Sequence, residues 1–205
     1  MSIVDKVVAA VTPPESEEAR KEARIKAESL ARPGSWLAAV LDHHRQIEAG
    51  FAEVRGGTDA ASRMAAQKRL AMLLTGHSTA EEAVLYPAMA LDDQKAHAEM
   101  AYFEQSKAKI QMAALDPMSQ DYLDKLEHLR GAVTHHVYQE EGTWYPKLME
   151  EAAAGTATML DARYADEFDR YCGTRMGSEL GMAAGAGDRS RAASVAPDST
   201  VHRAD

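Results

Sequence analysis

Apolar positions recur along this chain at alternating intervals of three and four residues. Leu37, Val40, His44, Ile47, Phe51 and Val54 form one such stripe. That period buries one face of a helix against its neighbours. A second stripe runs through Leu70, Leu73, His77, Glu81 and Val84, and a third through Tyr122, Leu126, Leu129, Val133, His136, Glu140 and Trp144. Between them, an inner arc drawn at about 100° per residue holds Met100, Ala101, Ala108, Met112 and Leu115, with His97 and Glu104 on the same arc. No stretch shows the two-residue alternation of a half-buried strand.

Punctuation divides these stripes into elements. Thr12-Pro13-Pro14-Glu15 predicts a helix start, with prolines and acid in the first turn. The charged stretch Glu15–Ala31 follows and closes at Arg32-Pro33-Gly34. Ser35 is placed to cap a helix to about Val54, which Gly56-Gly57 stops. Thr58-Asp59 opens a long helix to about Ala90, and Asp92-Asp93 opens another to about Leu115. After the turn Asp116–Ser119, a helix runs from Gln120 to about Glu151, disturbed at Gly142 and Pro146. A weaker pattern covers about Ala157–Tyr171. The expected fold is all-α: an antiparallel up-down-up-down four-helix bundle over 35–150, with an N-terminal helical extension (1–34) and a C-terminal helix packing on it (151–176). The Gly/Ala/Ser-rich stretch 177–205 reads as a disordered tail.

Composition narrows the class of function. Of 205 residues, 45% are apolar, enough for a core. The net charge of −9 opposes binding to nucleic acid or to an anionic membrane surface. No run of 18 apolar residues or export signal is visible, so a cytoplasmic protein is expected. The single Cys172 excludes an intramolecular disulfide and a cysteine-rich metal site within one chain.

Against that background, eight histidines in an acidic chain stand out, and three lie within the apolar stripes. His77-Ser-Thr-Ala-Glu81-Glu82 and His136-Val-Tyr-Gln-Glu140-Glu141 form an internal repeat, and Tyr86-Pro87 and Tyr145-Pro146 follow in the same register. A His and a Glu four residues apart share one helical face. Glu104 falls at the depth of these pairs on the remaining helix, whereas His97 falls nearer the bundle end, as a substitute or supporting residue. His44, His77, Glu81, Glu104, His136 and Glu140 therefore converge from four helices. Such a layer needs compensating charge, and nitrogen and carboxylate donors without thiolate suit iron or manganese, with zinc a further choice. Glu81 and Glu140 are placed to bridge two ions, with the imidazoles as terminal ligands. His43, His128, His135 and His202 read as peripheral, and Tyr86 and Tyr145 as helix-end packing residues.

Leu41-Asp42-His43-His44, the two H-x-x-x-E-E blocks and their Tyr-Pro endings resemble the hemerythrin-like, HHE cation-binding domain over about residues 35–150. The resemblance implies a four-helix bundle around a non-haem centre of two iron ions, oxo- or hydroxo-bridged, with oxygen-species chemistry. It supports His44, His77, Glu81, His136 and Glu140 as ligands. In the common pattern one or two histidines bind from the third bundle helix, where this chain has Tyr102-Phe103-Glu104-Gln105. Three functions follow: binding or sensing of O2, nitric oxide or peroxide; an oxidoreductase disposing of peroxide or nitric oxide; or a non-catalytic helical interaction module.

Overall fold

The computed structural model describes residues 15–151 and 154–173; Thr12, His202 and the stretch 177–205 lie outside them. All regular structure among the described residues is helical. In chain order it comprises α1 (Glu17–Leu30), α2 (Trp36–Gly56), α3 (Ala60–Ala80), α4 (Tyr86–Leu91), α5 (Lys95–Ala113), α6 (Tyr122–Gln139), α7 (Tyr145–Glu151) and α8 (Ala154–Phe168).

Local chemistry sets the helix starts. Ser16 caps α1 through a 3.1 Å bond from the Ala19 N–H, four residues after the expected Thr12. Ser35 caps α2 as expected, accepting from the Ala38 N–H. At α3, Asp59 and Ser62 form a reciprocal capping box. Helix α5 begins later than expected, at Lys95, because Asp92 and Asp93 form a turn in which Asp93 takes a positive φ of 59°.

Two π turns join α3 to α4 and α6 to α7, over Glu81–Leu85 and Glu140–Trp144. The Tyr86 N–H bonds the Glu81 carbonyl, and the Tyr145 N–H bonds that of Glu140, one residue wider than in an α-helix. The cause is in the sequence: Pro87 and Pro146 lack an N–H, and each ring would strike the carbonyl four residues back. One extra residue per turn relieves the clash. The disturbance expected at Gly142 and Pro146 thus has a twin at Pro87.

Four helical rods, α2, α3–α4, α5 and α6–α7, make the bundle, with α1 packed on α2 and the second π turn, and α8 on α2 and α3. Every residue of the three stripes through α2, α3 and α6 is buried. On α5 the buried stripe is Ala98, Ala101, Gln105 and Met112, while Met100 is 46% exposed. The inward face is therefore turned by about one residue from the arc expected for it.

The core has two apolar halves. One contains Leu37, Val40, Leu41, Tyr86, Met89 and Trp144. The other contains Ile47, Phe51, Leu70, Leu73, Leu126 and Leu129. Between Leu41 and Ile47 on α2 lies His44, and between Leu73 and Ala80 on α3 lies His77. A polar layer thus crosses the bundle at one level.

Candidate metal centre

Six fully or nearly buried polar side chains make up this layer: His44, His77, Glu81, Gln105, His136 and Glu140. Donor atoms of His44, His77, Glu81 and Glu140 all lie within 4.8 Å of one another. His136 stands beside this group, its Nε2 3.1 Å from Glu140 Oε1. The other Glu140 oxygen lies 3.2 Å from His44 Nε2. His77 Nε2 lies 3.3 Å from Glu81 Oε2. All three imidazoles therefore turn Nε2 toward the two carboxylates.

Each imidazole is held from behind by its Nδ1. His44 Nδ1–H donates to Glu141 Oε1 at 2.8 Å. Glu141 in turn accepts from Arg24 Nε on both oxygens, at 2.7 and 2.8 Å. His136 Nδ1–H donates to Glu104 Oε2 at 2.8 Å. His77 Nδ1 lies 3.1 Å from the Tyr164 hydroxyl, which is also 3.0 Å from His43 Nδ1. A backing acceptor on the far nitrogen fixes ring orientation and tautomer, an arrangement characteristic of metal-binding histidines.

The structure gives Glu104 a place other than the expected one. Its carboxylate stands behind His136 and outside the four-residue group, because α5 turns Gln105 inward instead. Gln105 Nε2 donates to Glu81 Oε2 at 2.6 Å. His97 lies two rings from the centre: it stacks on Trp144 at 5.8 Å, and Trp144 meets His136 edge-on at 5.7 Å. His43 is buried against Phe168, with ring centroids 3.9 Å apart. His135 pairs with Glu15 at the edge of the fold, and His128 is exposed.

Tyr86 and Tyr145 do more than pack helix ends. The π turns bring both hydroxyls into the layer. Tyr86 OH lies 3.1 Å from Glu140 Oε1 and 3.2 Å from His136 Nε2. Tyr145 OH lies 2.6 Å from Glu81 Oε1 and 2.7 Å from Glu140 Oε1. The Tyr-Pro ending of each repeat was the sequence signal for these two. Glu141 is the second acid of its repeat, but no comparable signal marked Tyr164, Arg24 or Gln105.

One phenol has one proton, so Tyr145 cannot donate to both carboxylates. Burial and the nearby Glu140 charge push Glu81 up to about 8, so it is a neutral acid at pH 7. Burial opposes ionisation of Glu140, but the His136 and His44 cations outweigh it and hold Glu140 well below the ordinary carboxylate range. The proton sequence is then Glu81 to Tyr145 to the Glu140 anion. Burial alone would lower His44 and His136, yet Glu140 with Glu141 raises the first to about 9, and Glu140 with Glu104 raises the second to about 10. His77, desolvated and beside cationic His44, is held well below its usual value and is neutral. Burial likewise brings His43 down to about 4.

Protons thus supply the compensating charge in this layer, but they leave it incompletely bonded. His44 Nε2 and Glu140 Oε2 face each other without hydrogen-bond geometry, and Gln105 Oε1 is buried without a partner. Buried polar atoms without partners are uncommon and call for an explanation. A cation among His44, His77, Glu81 and Glu140 would meet the first two, and the nitrogen and oxygen donor set fits one.

Comparison with known proteins agrees with this geometry. The hemerythrin HHE cation binding domain matches residues 37–148. The chain is also 30% identical over 105 residues to a DNA nickase of Nostoc sp. (strain PCC 7120 / SAG 25.82 / UTEX 2576), a match covering 50% of this chain and 30% of that protein. No solved structure matches.

Proposed function

The chain belongs to the hemerythrin HHE cation-binding domain family, and on that premise we propose that its buried layer holds two iron ions and binds or senses O2, nitric oxide or peroxide. His44, His77 and His136 through Nε2, and Glu81 and Glu140 through their carboxylates, would hold the ions. Glu104 acts in this reading by orienting His136. The observation that carries it is the three-fold pattern of Nε2 atoms turned to two carboxylates, each ring backed at Nδ1.

When bound, the two ions would supply redox chemistry and a coordination position for a small ligand. The chain's own groups prepare that position. With His77 Nε2 turned inward, its Nδ1–H donates to the Tyr164 oxygen, and the Tyr164 O–H donates to His43 Nδ1. Tyr86 and Tyr145 place two phenolic O–H groups against the carboxylates, able to donate to an anionic ligand there. Apolar halves of the core lie on either side of the layer.

Turnover of peroxide or nitric oxide at the same centre is the second reading, favoured by these two buried phenols. The activity named for the Nostoc protein is not carried over, since the match spans 30% of that protein and a net charge of −9 opposes a phosphate backbone.

Elemental analysis of protein purified without added metal tests the proposal. About two iron ions per chain are expected, with an oxo-to-iron absorption band, and His77→Ala should lose at least one of them. Iron-free protein, or unchanged content in His77→Ala, would falsify it. Consumption of peroxide or nitric oxide by wild type and not by the variant would favour the second reading.

A further inference from the structure

A diatomic ligand needs little room, yet a cavity of about 530 Å³ adjoins the polar layer. Its size is that of a site for an organic molecule. Along α3 its lining runs from Met64 to Ser78, about 20 Å at 1.5 Å per residue. On α5 it runs from Glu104 to Ala113, and beyond the helix it continues to Leu115 and Pro117. It is therefore elongated along the bundle axis, wedged between α3 and α5, with one end at the candidate centre.

Sequence explains why the helices leave this space. Ala71 on α3 and Ala108 on α5 line the cavity, where bulkier side chains would close it. Leu74, Met112 and Val133 make the rest of its middle apolar. Chemistry changes at the inner end, where His77, Glu104, Gln105 and His136 appear. Lys109, one turn on from Gln105, also lines the cavity, but its ammonium is paired with Glu82 at 2.7 Å, so the groups left at this end to engage a ligand are acceptors. Gln105 donates its Nε2 to Glu81, and its carbonyl Oε1 is buried with no partner. Glu104 is a carboxylate already accepting from His136. A ligand head at this end must therefore donate a hydrogen bond, and an anionic head would meet the Glu104 charge.

We propose that this cavity is a binding site for an elongated apolar molecule ended by a hydroxyl, an alkanol-like ligand whose head reaches Gln105 and Glu104 while its chain lies between Ala71 and Ala108. The inference deepens the reading above by naming an organic ligand for the same site, but the space itself is built by the chain and needs no ion.

Calorimetric titration of the full chain with 1-octanol and with octanoate, metal-free and after iron loading, tests it. Saturable binding of one octanol per chain is expected in both forms, with octanoate weaker by about tenfold or more. Ala108→Phe should weaken octanol by at least about tenfold while its melting temperature and metal content stay near wild type. Ala71→Phe, on the opposite wall, serves the same purpose should Ala108→Phe not fold. Absence of saturable octanol binding, equal affinity for octanoate, or wild-type affinity in a folded phenylalanine variant would overturn the inference. Because binding is read in the metal-free chain, these failures are distinct from failure to bind iron.

Discussion

At the residue scale, the centre is governed by what stands behind each imidazole. Glu104 accepts from His136 Nδ1 and is only 25% exposed, so the bond is largely shielded from water. Glu104→Gln should keep full occupancy at saturating iron but weaken affinity about tenfold, as expected when a backing carboxylate is lost. A competition titration with a chelator would measure it, and complete loss of one ion would mean that Glu104 ligates directly. Protons and metal compete for the same atoms, which gives the metal-free protein a distinct pH profile. His44 and His136 titrate in the folded chain near 9 and 10, above their ordinary 6.5. Their contribution is complete below 6.5 and is lost as pH rises through those values. Glu81 acts in the same sense, since its ordinary value is 4.5 and it ionises in the fold only near 8. Glu140 and Glu141 are depressed, so their contribution is lost as pH falls below 4.5. The melting temperature of metal-free protein should therefore fall between pH 6.5 and about 9.5, followed by circular dichroism. A rise across that window would contradict the assigned protonation.

At the scale of elements, caps and π turns decide which side chains reach the layer. Ser35 is 3% exposed and its hydroxyl accepts from the N–H groups of both Arg32 and Ala38. Ser35→Ala leaves both donors short of a partner and should cost about 1–2 kcal/mol in urea unfolding, with iron content unchanged. The stripes on α2, α3 and α6 were legible because Leu, Ile and Val mark a buried face unambiguously. Helix α5 was legible in depth but not in rotation. Its depth follows from counting 1.5 Å per residue, which reached the level of Glu104 and Gln105. Its inner face is marked mostly by alanines, Ala98 and Ala101, which also occur on exposed surfaces, while Met100 and Phe103 are exposed. One residue is about 100° of rotation, enough to exchange Glu104 for Gln105.

At the scale of the molecule, the two flanking helices complete the centre. Helix α1 brings Arg24 to Glu141, and α8 brings Tyr164 to His77. A π turn, Asp169–Gly173, follows α8 and approaches α3 closely at Gly76, where a Cβ would collide with Cys172 Sγ and crowd Tyr171. Gly76→Ala should loosen α8, raise hydrogen exchange over residues 160–173 and weaken iron binding. Gly131→Ala, where nothing lies within 4 Å, should leave both unchanged and add about 0.5–1 kcal/mol of helix stability. Equal behaviour of the two variants would show that α8 does not support His77.

By itself the sequence determined the helices, the bundle, the level of the polar layer and five of its residues, because each of these rests on spacing within one helix. Helical periodicity is local, and a repeat such as His77–Glu81 and His136–Glu140 carries its geometry with it. Only the tertiary structure decided that Gln105 faces inward, that Tyr86 and Tyr145 enter the layer, and that Arg24, Glu141 and Tyr164 hold the imidazoles. Those contacts join residues from separate elements, up to 117 positions apart for Arg24 and Glu141. They are set by the rotation and docking of whole helices, which no periodicity within one helix encodes.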